Sequence, residues 1–154
     1  MLAQNQKIRQ NNKSIVFVDT SAIAAVVNGN DKHHNSALRI YKKLQRPQFY
    51  LLVTNFVIAE THALLLKKGN INIAREWLMR SAYKDFSVHR PEEDMEMEAV
   101  KRIDKYKDKD FSLTDMLSFL VMEKIGIKYY FAYDRHFAQI GLFNNIAAYQ
   151  ELSS

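Results

Sequence analysis

An α/β fold with a mainly parallel central sheet is predicted by three features of the chain. Short β-branched or aromatic runs at 14–18, 50–53, 86–89 and 129–132 read as strands. Stretches of helical periodicity separate them, and strands alternating with helices are the pattern of parallel sheets. Only four Gly and two Pro occur in 154 residues, so long flexible linkers are not expected.

Taken in order, residues 1–13 are a polar tail rich in Gln, Asn and Lys, and residues 14–154 form a single domain. The run 14–18 is a buried strand that ends at Asp19. Asn28-Gly-Asn-Asp31 is a turn, and Asp31 is a candidate cap for a helix carrying Ala37, Ile40, Tyr41 and Leu44. Pro47 closes that segment. Residues 50–53 form the second strand. Thr54 or Asn55 then caps a helix running to about Lys68, with Gly69 as its stop. The next helix covers about 71–83, with Trp77 as its largest core candidate, and 86–89 is a weaker strand. Pro91 with Glu92, Glu93 and Asp94 opens a helix whose negative start and basic end both suit the helix dipole. Residues 113–125 are helical and apolar nearly all round, hence a core helix. Residues 129–132 form a strand leading to Tyr133 and Asp134, and a short last strand is expected near 145–148.

Composition excludes several chemistries. Without cysteine there is no disulfide framework, thiolate zinc site or cysteine nucleophile, which fits a reducing cytoplasm. No uncharged apolar run approaches the roughly 18 residues that span a bilayer, and the N-terminus lacks the apolar core of a signal peptide. The net charge of +5 favours a polyanionic partner through long-range attraction and counterion release.

Four acids stand out. In open parallel sheets ligands bind beyond the carboxyl ends of the strands, where Asp19 and Asp134 fall. A lone Asp there is ordinarily a turn residue or helix cap. Glu60 shares a helical stripe with Phe56, Ala63 and Leu64, which aims it toward the core, where a carboxylate needs a salt bridge, a proton or a cation. Asp115 opens the apolar helix, where an N-terminal cap is the simpler role. From Asp115 to Gly126 a helix descends about 16 Å, and from Lys128 to Asp134 a strand climbs back about 20 Å. Asp134 therefore returns to the level of Asp115, near Asp19 and the start of the helix bearing Glu60. Two like charges 4 Å apart repel by about 4 kcal/mol at an effective dielectric near 20. Such a cluster asks for cations, and oxygen-only ligands select Mg²⁺ or Mn²⁺. These ions bridge phosphate oxygens and lower the pKa of a bound water.

Four segments together resemble the PIN-domain family and, within it, the VapC-type toxins of toxin–antitoxin pairs. They are Phe17-Val-Asp-Thr-Ser21, Thr54-Asn-Phe-Val-Ile-Ala-Glu-Thr61, Phe111-Ser-Leu-Thr-Asp-Met-Leu-Ser-Phe119 and Tyr133-Asp-Arg-His-Phe137, in the family's order. The resemblance covers about residue 14 to the C-terminus. It implies a PIN-like three-layer α/β/α domain and a Mg²⁺- or Mn²⁺-dependent endoribonuclease. Its acidic quartet falls on Asp19, Glu60, Asp115 and Asp134. Asp19 and Asp115 would be the principal metal ligands, with Glu60 and Asp134 completing the site and orienting water. Thr20, Thr114 and Arg135 are candidates for positioning substrate or water, and Asp110 is a candidate cap or ligand of a second ion. RNA, a cognate antitoxin and a second copy of the chain are the partners so implied. A non-toxin PIN nuclease of RNA processing, or a catalytically silent RNA- or partner-binding module, remain the alternatives.

Weaker signals surround this set. His33 and His34 are expected to face solvent, and His136 to be structural. Lys42, Lys43, Arg46, Lys67, Lys68 and the basic run 101–109 are candidate phosphate contacts, though each also suits a solvated helix face. An aspartyl-phosphate enzyme of the haloacid-dehalogenase type needs a second Asp two residues after the first, where this chain has Ser21. A receiver-like phosphoacceptor fails for want of an acidic pair beside Asp19.

Overall fold

A strand buried on both faces reads as a continuous apolar run and belongs in the middle of a parallel sheet. Val16, Phe17 and Val18 are such a run, at 0–1% exposure. They lie in β1 (Ser14–Val18), which pairs in parallel with β2 (Phe49–Thr54) on one side and β4 (Tyr129–Phe131) on the other. Two short strands, β3 (Ser87–His89) and β5 (Asn144–Asn145), complete the order β3-β2-β1-β4-β5, and every pairing is parallel. The computed structural model describes residues 13–68 and 70–151. The predicted tail up to residue 12 and the Gly69 stop lie outside the described residues.

Helices flank the sheet in an α/β/α arrangement: α1 (Thr20–Val27), α2 (His34–Leu44), α3 (Asn55–Lys67), α4 (Ile71–Arg80), α5 (Glu93–Ile103), α6 (Leu113–Ile125), α7 (His136–Ile140) and α8 (Ile146–Glu151). Helix α6 behaves as its composition predicts. Nine of its residues are buried, and Gly126, in the left-handed region at φ 80°, ends it where a side chain would be strained. Trp77 is buried in α4, and Glu92 opens α5 with Glu93, Asp94 and Glu96 in the first turn.

The structure corrects the sequence reading at several places. Helix α1 was not foreseen, because Thr-Ser-Ala-Ile-Ala-Ala-Val-Val offers no polar stripe to set a helical period; five of its eight residues are buried. Helix α7 has five residues, too few for periodicity to register. Asp31 does not cap α2. Its side chain accepts from His33 N at 2.8 Å in the turn before the helix, and His33 is the capping position. The helix from Ile71 stops at Arg80, which leaves Tyr83 outside it and exposed. The last strand comes earlier than expected and is brief, because Asn145 Oδ1 accepts from Ala147 N and turns the chain into α8.

Order 3-2-1-4-5 places a topological switch between β1 and β4, from which the chain departs in opposite directions, and ligands collect at such crevices. Beneath it, Phe119 packs edge-on against Phe111 at 5.3 Å and Phe137 at 5.0 Å between ring centroids. Phe119 is 1% exposed. Phe119→Ala should therefore cost about 3–5 kcal/mol of stability. Urea denaturation checks this; a loss below about 1 kcal/mol would contradict the packing described.

Candidate active site

Asp19 follows β1 directly. Its backbone N–H donates to Phe131 O at 3.0 Å, locking the carboxyl ends of β1 and β4 together. Its Oδ2 accepts from Ser21 N at 3.0 Å and Ser21 Oγ at 2.6 Å, so it caps α1 as a lone Asp commonly does. Ser21 Oγ also accepts from the backbone N–H groups of Tyr133 and Asp134, at 3.0 and 3.1 Å. One hydroxyl thus fixes Asp19 against the segment carrying Asp134. The sequence places Ser21 in a family-like segment and uses it against a rival chemistry but assigns it no role at the site; its place two residues after Asp19 is the available signal.

Asp115 holds the third position of α6. Ser112 N donates to its Oδ2 at 2.9 Å while Asp115 N donates to Ser112 Oγ at 3.1 Å, a reciprocal capping box. The predicted cap and the predicted cluster member are the same residue. In both Asp19 and Asp115 the described hydrogen bonds and ion pairs arrive at Oδ2, and none among the described residues reaches Oδ1.

Glu60 joins them from α3, though not as its stripe predicted. The buried face of α3 is Val57, Ile58, Thr61 and Leu65, while Ala63 is exposed and Glu60 half-buried on the flank. The Thr20 and Thr114 side chains lie beside the Glu60 carboxylate and favour its charged form. Thr61 Oγ1 donates to Thr20 Oγ1 at 3.4 Å beside it. Both threonines singled out in the sequence therefore touch this acid. Asp134 is more open, and its Oδ1 accepts from His136 N at 2.8 Å in an Asx-type turn leading into α7.

Electrostatics tie the four together. Burial, above all, raises the Asp19 pKa from 3.8 to about 7; the Ser21 hydrogen bonds oppose the rise, and the charges of Asp115 and Glu60 add to it. Burial likewise raises Glu60, with hydrogen bonds from Thr20 and Thr114 opposing and Asp115 and Asp134 adding. Among the described residues no Lys or Arg forms an ion pair with any of the four.

Among the described residues His136 is the one base that touches them. Its Nδ1 lies 2.8 Å from Asp115 Oδ2 and 3.3 Å from Asp134 Oδ1, and its Nε2 lies 3.1 Å from Asp110 Oδ1. Desolvation lowers its pKa, but Asp115, Asp134 and Asp110 outweigh that and leave it raised. Asp110 is thus not a helix cap; Ser112 fills that place, and Asp110 binds Arg135 Nη2 at 2.9 Å. Arg135 points its charge at Asp110 rather than at the acids. His33 and His34 do not simply face solvent either. His33 stacks on Tyr133 at 4.3 Å between centroids and 9° between planes, and His34 Nδ1 lies 2.8 Å from Ala25 O.

The donor set is all oxygen, and Asp19 and Asp115 each keep one oxygen without a described protein partner, which fits a hard divalent cation. Among the described residues no three His, Asp or Glu side chains stand as a finished ion cage. The four acids share a neighbourhood rather than a completed coordination shell.

Comparison with known proteins agrees with this architecture. Residues 16–142 match the model of the PIN domain. The 23S rRNA-specific endonuclease VapC20 of Mycobacterium tuberculosis is 31% identical over 130 residues, covering 82% of this chain and 95% of that protein. The crystal structure of VapC20, a Sarcin-Ricin loop cleaving toxin, superposes with a TM-score of 0.75 at 30% identity, over 84% of this chain and 96% of the other. FitAcB of Neisseria gonorrhoeae shares the fold at TM-score 0.60 and 14% identity, over 84% of this chain and 96% of that one.

The raised pKa of Asp19 makes a pH prediction. As pH rises from about 4 to about 7 the unfolded chain releases this proton before the folded chain does. The metal-free fold then loses on the order of 1.4 kcal/mol per pH unit from this group. Metal-free melting midpoints of the native chain should fall across that window more steeply than those of Asp19→Asn. Parallel profiles for the two proteins would refute the assignment.

Proposed function

The chain belongs to the PIN-domain family, and from that premise we propose that it is a divalent-metal-dependent endoribonuclease, the toxin of a toxin–antitoxin pair. The observation that carries this reading is the meeting of Asp19, Glu60, Asp115 and Asp134 in one neighbourhood with no Lys or Arg among the described residues paired to them. Carboxylates gathered without Lys or Arg counter-charges store repulsion that a divalent ion relieves.

In this reading Asp19 and Asp115 would hold the ion, and Mg²⁺ or Mn²⁺ is the natural choice for such ligands. When bound, the ion supplies Lewis acidity toward a phosphodiester and lowers the pKa of water. Glu60, steadied by Thr20 and Thr114, accepts a proton from the attacking water. Its raised pKa brings that carboxylate closer to neutral pH, as a general base requires. Asp134 completes the acidic wall and is kept in place through the Ser21 hydroxyl. Arg135, held by Asp110, is available to a phosphate only if that pair opens.

VapC20 is described as specific for 23S rRNA, which makes a ribosomal RNA loop the first substrate to test. A cognate antitoxin and a homodimer are proposed on the resemblance to VapC-type toxins, and a cytoplasmic setting on the absence of cysteine. No helix among the described residues is long and apolar enough to cross a membrane.

Digestion of total RNA by the purified chain, with Mg²⁺ or Mn²⁺ and with EDTA, tests the proposal. Cleavage should require the ion and should fall at least 100-fold in Asp19→Asn, on the scale of losing one electrostatic element of a catalytic site. Circular dichroism of that variant should match the native chain. Undiminished cleavage by it, or equal cleavage in EDTA, would overturn the assignment.

A further inference from the structure

Between Lys32 and Ala59 the sequence holds five Lys or Arg and not one Asp or Glu. The remaining 17 cations are matched by 17 acids elsewhere. The whole net charge of +5 therefore resides in this one stretch, and α2 is its centre. Along α2, Ala37, Ile40 and Leu44 are buried. On the opposite side Asn35, Arg39, Lys42 and Arg46 recur at steps of four, three and four residues, a single helical stripe continued one turn past the cap. All four are exposed, and among the described residues Arg39, Lys42 and Arg46 form no ion pair. A cation in the last turn suits the helix dipole, which accounts for Lys42. It does not account for Arg39 in mid-helix or Arg46 beyond the end.

The ridge has a direction. At its start His33 stacks on Tyr133, and Ser36 Oγ lies 3.0 Å from Tyr133 OH. Tyr133 adjoins Asp134, so this end abuts the acid crevice. At its far end Phe49 N donates to Arg46 O and Ser14 N to Gln48 O, at the amino edge of the sheet. The helix between them is about 16 Å long. Resting on the nuclease reading, we propose that α2 is the track for the substrate strand: Arg39, Lys42 and Arg46 bind successive phosphates and lead the RNA past the His33–Tyr133 stack to the acids.

Point cations on a backbone track act without sequence preference and with strong salt dependence. Steady-state cleavage of a labelled single-stranded RNA by the full chain tests the idea. The triple variant R39Q/K42Q/R46Q is compared with a control triple at exposed cations away from α2 that form no ion pair among the described residues, R75Q/K84Q/K128Q. The ridge variant should raise KM at least tenfold with little change in kcat. Its kcat/KM should lose roughly two from the slope of log rate against log salt, at roughly 0.7 per phosphate contact on a single strand. A trinucleotide too short to reach α2 should be cleaved equally by both. If the native chain cleaves RNA and the ridge variant keeps its KM and slope, the track is wrong and the nuclease reading survives. If the native chain cleaves no RNA, both fall together. If the variant is unchanged on RNA but loses binding to polyglutamate, the ridge docks an acidic protein and the track is refuted.

Discussion

A hydroxyl with three partners holds the site in shape. Ser21 Oγ donates to the Asp19 carboxylate and accepts the backbone N–H groups of Tyr133 and Asp134, segments 112 and 113 residues away in the chain. A hydrogen bond to a charged group contributes about 1.5–3 kcal/mol, and this one acts where burial disfavours the charge. Its second effect is geometric. It makes the ends of β1 and β4 one rigid unit, reinforced by the Asp19 N to Phe131 O bond. Glu60 and Asp115 are brought to that unit by helices whose buried sides leave them little freedom. The crevice is therefore a property of the sheet's switch point and not of a flexible loop.

Much of this was legible in the chain. The apolar run of β1 and the all-round apolar α6 each announced a central position, and the rise of a helix against that of a strand put Asp134 level with Asp115 before any coordinates. The two threonines expected to position water or phosphate lie beside the Glu60 carboxylate. Other features were hidden for physical reasons. A fully buried short helix such as α1 carries no alternation of polar and apolar residues, so periodicity is silent there. Glu60 was assigned to the core because its neighbours at three and four residues are apolar, yet the true buried face runs through Thr61, one residue away. A helical stripe of mixed small and apolar residues does not say which side faces inward. His136 is expected from the sequence to be structural, but its contacts with the acids are not legible there, because its partners come from α6, the segment before it and its own turn, a meeting that only the fold creates.

The opposed readings of the acids as caps or as a cluster turned out not to compete. A carboxylate has two oxygens. In Asp19 and Asp115 the backbone takes one, and no described hydrogen bond reaches the other. Helix starts and sheet ends coincide in a parallel α/β fold, so the residue that begins a helix is already where ligands gather. The aromatic layer of Phe111, Phe119 and Phe137 supports this arrangement from below, with the His136 ring edge-on to Phe111 at 5.5 Å. Side chains locked in such packing keep their polar neighbours in register.

This division of labour bears on how the protein can lose its activity over evolutionary time. Asp19 caps α1, Asp115 closes the capping box of α6 and Asp134 shapes the turn into α7. Glu60 alone begins nothing. Drift that silences the chain while sparing its architecture, in a duplicated copy kept only to sequester a partner, meets the least resistance at that mid-helix glutamate. On the site proposed above, a lineage of inert paralogues would differ there first, with the three aspartates retained as scaffolding.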